Sequence, residues 1–165
     1  MSLSSSFVSK ASKMFSNVDR AHDVRVGVRP KEYWVLALSK GKTRLFLLEG
    51  RQFKEITDEH FPLHYEEQFQ HERKTGQIVQ YYADESRVSE VRRHAYYRHV
   101  LHLLESYLQE KPFPLILMTA NTNVGDFKRI THLEDRIARC IHGNFDHHRV
   151  SEVKSLLQKK LRFPA

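Results

Sequence analysis

The stretch from Asp84 to Lys111 constrains the fold most, because it is the only segment of the 165-residue chain periodic enough for a helix of many turns. Its apolar residues recur every three or four positions, and polar residues fall mostly between them. Pro112 prevents continuation of the helix, since proline has no backbone N–H to donate. The pattern therefore predicts one long central helix with one side against a core. The apolar positions are Val88, Val91, Ala95, Tyr96, Val100, Leu103, Leu104, Tyr107 and Leu108.

The residues before this helix predict three short strands. Tyr33 to Leu38 and Thr43 to Leu48 are rich in β-branched, aromatic and aliphatic residues, and a weaker run covers Phe53 to Ile56. Between the first two runs, Gly41 is expected to supply the positive φ of a hairpin turn, and Gly50 marks a second turn. Connections this short join antiparallel neighbours, so the three strands are expected to form an antiparallel meander.

The residues after the helix complete an α/β pattern. Pro114 to Ala120 form a continuous apolar run, which is typical of a strand buried on both faces. Asn121 to Asn123 offer caps for a short helix, whereas Ile137 to His142 fit a helix or a strand equally well. His148 to Leu161 predict a C-terminal helix. The expected fold is therefore α/β, with a mixed sheet carrying a meander, one long central helix and a C-terminal helix.

A long polar connection is the strongest functional indication from pattern alone. Residues 57–83 lack periodicity, and their centre at Lys74 to Gln77 is typical of a loop tip. A connection of this length is uncommon in a compact domain and more often serves function than chance. We therefore expect this loop to make contacts with a partner.

The net charge of +7 comes from the two ends of the chain. Residues 1–30 carry five Lys and Arg against two Asp and Glu, residues 149–165 carry five against one, and residues 31–148 carry seventeen of each. Within this neutral middle, basic residues between Arg73 and Arg98 follow an acidic set. An ordinary solvated surface and an RNA-contacting surface both account for such a run, and both interpretations stay open.

Other classes of site find little support in the sequence. Cys140 is the single cysteine, so no internal disulfide framework is possible. The histidines lack the paired spacing of a structural zinc site, and no phosphate-binding glycine loop occurs, so we expect neither a metal nor a cofactor. No apolar run is long enough to cross a membrane, and no signal peptide is evident, which predicts a cytoplasmic protein. Residues 1–29 are expected to be an N-terminal extension or the remnant of a preceding domain, and residues 30–165 one α/β domain.

Several segments, taken in order, resemble a known family. The run from Tyr33 to Gly50, the strand from Pro114 to Met118 and the closing segment from Ile141 to Asp146 are similar to the middle domain of archaeal and eukaryotic class I release factors. The similarity is greatest to the bacterial relatives of that family, a group that includes ribosome hibernation factors, and it covers roughly residues 28–160. The resemblance implies an RNase-H-like domain and the ribosome as partner.

The resemblance also implies a role for the polar loop. In release factors a Gly-Gly-Gln loop lies between the meander and the long helix, where this chain has Lys74-Thr75-Gly76-Gln77. Thr75 replaces the first glycine, and its branched side chain restricts the backbone. Pelota-type relatives lack the tripeptide and act by occupying the ribosome, so the resemblance implies binding without catalysis.

Three functional hypotheses follow. The first is a non-catalytic ribosome-binding protein of hibernation or rescue type that inserts the polar loop into a ribosomal RNA site. The second is a peptidyl-tRNA hydrolase that uses Gln77 to position water. The third is a protein interaction module that uses an apolar helix face within Phe7 to Val18. The predicted RNA-contacting residues are Arg73, Lys74, Thr75, Gly76, Gln77, Arg87, Arg92 and Arg93.

Overall fold

The structure is a computed structural model that describes residues 32–68 and 85–161. The predicted extension at residues 1–29 lies outside the described residues. The elements, in chain order, are β1 (Glu32–Ala37), β2 (Arg44–Glu49), β3 (Gln52–Glu55), α1 (Tyr65–Gln68), α2 (Glu85–Glu110), β4 (Leu115–Thr119), α3 (Asn121–Thr131), β5 (Ile137–His142) and α4 (Val150–Leu161).

The five strands form one mixed sheet in the order β3-β2-β1-β4-β5. β2 runs antiparallel to both β1 and β3, which is the predicted meander. β4 runs parallel to β1 and to β5, so Trp34 of β1 lies between Leu47 and Leu115. The α/β class, the meander, the long helix and the C-terminal helix are confirmed, and the RNase-H-like variety stays a prediction.

Helices cover both faces of the sheet. Alternate residues of β1 point to opposite sides: Trp34, Leu36 and Leu38 join a core formed with α2 and α3, whereas Tyr33 and Val35 join a core formed with α4. Because β1 and β4 are covered on both faces, their side chains are almost wholly buried. Each fully buried leucine contributes about 1.5–3 kcal/mol relative to exposure. From Ala95 onward, the apolar side of α2 lies in the first core, as predicted, whereas the expected core position of Val91 is wrong, because its side chain is 46% exposed.

The long helix α2 runs antiparallel to β1 and is longer than the strands of the sheet. The indole Nε1 of Trp34, near the start of β1, donates a hydrogen bond of 2.8 Å to the carbonyl of Lys111, just after α2. The 26 residues of α2 span about 39 Å, whereas a six-residue strand spans about 20 Å. The buried residues of α2 begin at Tyr96, and Arg87, Glu90 and Val91 are exposed. The first turns of α2 therefore extend past the edge of the sheet.

Three local expectations are corrected and one ambiguity is resolved. The cap of α3 is the backbone of Ala120 with no side-chain hydrogen bond, so the predicted asparagine cap is wrong. The ambiguous segment from Ile137 is strand β5, because its edge position lets it pair with β4. Gly41 does not have the positive φ expected of it, whereas Gly50, in the second turn, has a φ of 61°. Within the polar connection, Leu63 bridges to Thr43 and α1 follows, so its start is ordered structure.

Candidate functional site

Several polar side chains lie at the edge at which the parallel strands end. β1 ends at Ala37, β4 at Thr119 and β5 at His142, and we call this side of the sheet the carboxyl edge. In open sheets with parallel strands, ligands bind outside the carboxyl ends where neighbouring connections diverge. Here the chain leaves β1 toward β2 and leaves β4 toward α3, on opposite sides. The carboxyl edge is therefore the candidate location of a ligand-binding site.

The turn from β1 to β2 is locked against the loop that follows β5. The hydroxyl of Ser39 donates a hydrogen bond to Oδ1 of Asp146, and the backbone N–H of Lys42 donates to the same oxygen at 3.2 Å. The N–H of Gly41 donates to Ser39 Oγ at 3.1 Å. A β-carbon on Gly41 would lie 2.9 Å from Asp146 Oδ1, so the glycine permits the carboxylate to approach. That close approach is the role of Gly41, in place of the predicted positive φ.

Three residues, Thr43, Leu63 and Tyr96, join three separate segments at this edge, and we call them the clasp. The backbones of Thr43 and Leu63 exchange two hydrogen bonds of 2.8 and 2.9 Å. The hydroxyl of Tyr96 lies 2.8 Å from Thr43 Oγ1 and 3.3 Å from the Leu63 carbonyl. Burial raises the pKa of Tyr96 far above its ordinary value, so this hydroxyl stays a donor. The ring of Tyr96 is buried, as its place in the apolar pattern of the helix predicts, and its hydroxyl also lies inside the domain.

The clasp lies at the base of the polar connection. Leu63 leads into α1, whose Tyr65 ring packs edge-on against Tyr96 with centroids 5.0 Å apart. Tyr96 is on α2, which begins at Glu85. We call residues 63–68 the first stem and residues 85–96 the second stem of segment 69–84. Both stems are therefore anchored at the carboxyl edge, next to the turn that contains Lys40 and Lys42.

The predicted RNA-contacting residues divide into two groups. Arg73, Lys74, Thr75, Gly76 and Gln77 lie outside the described residues.

The second group lies on the second stem, and its members Arg87, Arg92 and Arg93 differ in solvent exposure. Arg87 is exposed, and Arg92 is partly buried. Arg93 donates from Nη2 to Asp126 Oδ2 at 2.8 Å, which joins α2 to α3. A phosphate would have to compete with Asp126 for Arg93, whereas Arg87 faces solvent.

Two aspartates near this edge are engaged, whereas two basic side chains are exposed. Asp126 accepts hydrogen bonds from both Arg93 and Arg129, and Asp146 accepts from Ser39 and Lys42. Lys40 and Arg87 are exposed, and neither forms an ion pair with another described residue. Because these two aspartates are engaged, the exposed Lys40 and Arg87 can be presented to an anion such as a phosphate, although Glu66 and Glu90 on the stems are exposed as well.

Neither a metal-binding cluster nor a membrane-crossing helix occurs in the described ranges, 32–68 and 85–161. No group of three or more His, Cys, Asp or Glu side chains there could hold a metal ion. Among the helices in the same ranges, none combines the length and the apolar character that a membrane crossing needs.

The sequence patterns did not indicate Ser39, Thr43 or Asp146 as a connected group. Ser39 lies between the first two predicted strands and Thr43 begins the second, and Asp146 lies 107 positions from Ser39. A usable signal existed: a polar residue follows each of two apolar strands, as is typical of a binding edge where strands run parallel. This interpretation requires β1, β4 and β5 to be parallel strands. The sequence did not establish that, because the segment of β5 fits a helix or a strand.

Comparison with known proteins places this fold in a family. Residues 32–162 match the family described as bacterial archaeo-eukaryotic release factor family 3. No curated protein matches the chain. The match covers all the described elements, and it confirms the resemblance to bacterial relatives of the release factors. Because it spans well over half of the sequence, the chain belongs to bacterial archaeo-eukaryotic release factor family 3.

Proposed function

We propose that this protein is a ribosome-binding factor of translation that acts by occupancy, presenting Arg73 to Gln77 to a ribosomal RNA site. One observation carries the proposal: both stems of segment 69–84 are anchored by a buried clasp at the carboxyl edge, where Lys40 and Arg87 are exposed. Membership of a release-factor family supports a role in translation. Such a protein would work in the cytoplasm, on idle or on stalled ribosomes.

The chemistry of the interface would be that of phosphate neutralisation. Lys and Arg side chains release counterions from RNA when they neutralise phosphates, which makes binding sensitive to salt. Contacts of this kind fix position and orientation more than sequence. Arg87 lies on the second stem and Lys40 lies on the adjacent turn. Both side chains are exposed, so they would support the contact made by Arg73 and Lys74.

The absence of a first glycine in the loop favours occupancy over hydrolysis. Thr75 stands at the position that the resemblance assigns to glycine, and a β-branched residue restricts the backbone there. Gln77 is retained, so peptidyl-tRNA hydrolysis is the rival activity. We expect purified protein to release no peptide from ribosomal complexes. Release that is abolished by Gln77→Ala would replace the occupancy proposal with an enzymatic one.

Sedimentation with purified ribosomes at increasing salt tests the proposal. We expect the full chain to co-sediment at low salt and to dissociate as salt rises, and Arg73→Ala/Lys74→Ala to weaken binding. The matched control is Lys159→Ala/Lys160→Ala, which removes the same charge from the end of α4. Those lysines lie about 14 Å along α4 from its first residue, Val150. Failure to co-sediment at low salt, or equal loss in both double variants, would contradict the proposal.

A further inference from the structure

Gly125 is an exposed glycine in the interior of helix α3. A β-carbon added to it would meet no atom of the described residues within 4 Å, and its φ is not positive. Glycine inside a helix is less favourable than alanine, because its backbone loses more freedom on folding. Neither backbone geometry nor packing within the described domain therefore accounts for a glycine at this position.

Arg129 shares the exposed side of α3 with Gly125. The two residues are four positions apart, and both lie about 160° around the helix from Phe127, which is fully buried in the core. The side chain of Arg129 is 66% exposed. We call Gly125 and Arg129 the open face of α3, since they combine an unobstructed backbone with a positive charge.

Asp126 orients Arg129 and leaves the surface positive. Its Oδ1 accepts from Arg129 Nη2 at 2.9 Å, and its Oδ2 accepts from Arg93 Nη2 at 2.8 Å, so two cations share one carboxylate. Arg129 forms no other hydrogen bond with a described residue, so its remaining N–H groups are available to an anion. Glu134 and Asp135 are exposed beyond the C-terminal end of α3, so an anion is favoured on the Gly125 side of Arg129.

We infer that the open face of α3 is a further RNA-contacting surface, on which Arg129 binds a backbone phosphate and Gly125 lets the RNA approach the helix closely. Glycine is the residue that permits close approach of a ligand to a backbone. Arginine presents several N–H donors to a phosphate in a fixed planar arrangement. The inference rests on the proposed function and extends its interface from Arg93, on the second stem, through Asp126 to α3.

The composition of this surface favours RNA over a protein partner. Protein interfaces are centred on buried aromatic or aliphatic anchors. The exposed residues of α3 include no such anchor: they are Asn121, Thr122, Gly125 and Arg129. A phosphate contact needs only a positive charge, hydrogen-bond donors and access to them. The open face provides all three.

Substitution of Gly125 separates binding from stability. Gly125→Ala should raise the Tm by about 1–4 °C, because alanine favours the helix. The same methyl group would displace the phosphate, so the Kd for ribosomes should rise about five-fold, and further with the larger side chain of Gly125→Gln. The controls Ser106→Ala and Ser106→Gln add the same side chains to an exposed position about 20 Å along α2 from Arg93. Their Kd should stay within about two-fold of the wild type.

Substitution of Arg129 tests whether the partner is a phosphate. Arg129→Gln should raise the Kd about ten-fold and lower the salt slope of binding by about one. Arg129→Lys keeps the charge and should therefore keep the slope. The matched control is Arg51→Gln, which removes an exposed arginine from the β2–β3 turn, at the edge opposite the carboxyl edge. Its Kd and slope should equal those of the wild type.

The possible results separate this inference from the proposed function. If the wild type does not bind ribosomes at low salt, the proposed function fails and this inference fails with it. If the wild type binds and Arg73→Ala/Lys74→Ala weakens binding, but the Gly125 variants bind as well as the Ser106 variants, the inference alone is overturned. Weaker binding of Arg129→Gln with an unchanged salt slope would also overturn it, because that result would indicate a contact with protein.

Discussion

Arg44 and Glu55 form a bidentate ion pair on the β2–β3 side of the sheet, with Nε 2.7 Å from Oε1 and Nη2 2.9 Å from Oε2. The remaining nitrogen of Arg44, Nη1, donates to the carbonyl of His148 at 2.6 Å, just before α4. The side chain of Arg44 is only 6% exposed and that of Glu55 is 18% exposed. One buried cation therefore joins edge strand β3 and the loop before α4 to β2.

Breaking this pair should be costly. Arg44→Met leaves the Glu55 carboxylate without its main partner, and loss of one member of a buried pair typically costs about 3 kcal/mol or more. The control is Glu49→Gln, which breaks the pair between Glu49 and Lys111, whose side chains are 38% and 35% exposed. An exposed pair is worth less than about 1 kcal/mol. Urea denaturation of both variants measures the difference, and equal losses would contradict the assigned role of Arg44.

The same pair predicts a dependence of stability on pH. The hydrogen bond from Arg44 is the largest cause that lowers the pKa of Glu55, and it outweighs the opposing effect of burial. A pKa that is lower in the folded state stabilises the fold above the unfolded pKa, and that stabilisation is lost as the pH falls through the folded pKa. As the pH is lowered from 7 through the folded pKa of Glu55, the free energy of unfolding should fall more in the wild type than in Glu55→Gln. Parallel pH profiles would show that Glu55 is not responsible.

Two glycines predict opposite effects of the same substitution. Gly41→Ala places a methyl group 2.9 Å from Asp146 Oδ1, and Asp146 cannot move without losing Ser39 and Lys42. We expect a loss of about 1–3 kcal/mol, as for other overpacked sites. Gly125→Ala, inside α3, meets no atom within 4 Å and should gain about 0.5–1 kcal/mol from helix propensity. Thermal unfolding of both variants tests the pair, and a neutral Gly41→Ala would remove the argument for a locked turn.

The arginines on the second stem should separate into a binding group and a structural group. Arg87→Gln removes an exposed charge, so stability should stay within about 0.5 kcal/mol of the wild type. Its ribosome binding should weaken, and the salt slope should fall by about one.

Arg93→Gln breaks the pair with Asp126, whose side chains are 30% and 28% exposed, so up to about 1 kcal/mol of stability should be lost. We expect a smaller change in its salt slope than in that of Arg87→Gln. Sedimentation at several salt concentrations, with urea denaturation of the same samples, makes the comparison. The reverse order of slopes would mean that Arg93 exchanges Asp126 for RNA.

Local pattern predicted the elements with strong periodicity. The helix expected from Asp84 to Lys111 is α2 from Glu85 to Glu110, and the apolar run from Pro114 is β4. Both depend on residues that are neighbours in sequence, so their pattern carries the information. Ile137 to His142 was ambiguous, because a short run with exposed residues fits either structure until its pairing with β4 is known.

The candidate site was less predictable, because its contacts join residues that are far apart. Ser39 and Asp146 are separated by 107 positions, and Thr43 and Tyr96 by 53. The expected role of Gly41 was wrong for the same reason: a local rule assigned it a turn conformation, whereas a distant carboxylate requires the space. The charge pattern predicts Arg93 as a phosphate contact, whereas the fold pairs it with Asp126, 33 positions away.

The sequence by itself determined the α/β class, the order of the elements, the long helix and the resemblance that the family match confirms, because periodicity and residue order are local properties of the chain. Only the tertiary structure decided that both stems meet at the carboxyl edge, that Tyr96 joins them to Thr43, and that Asp126 and Asp146 are engaged while Arg87 is exposed. Hydrogen bonds and ion pairs act over a few ångströms in space, whatever the separation along the chain, so folding alone selects the partners.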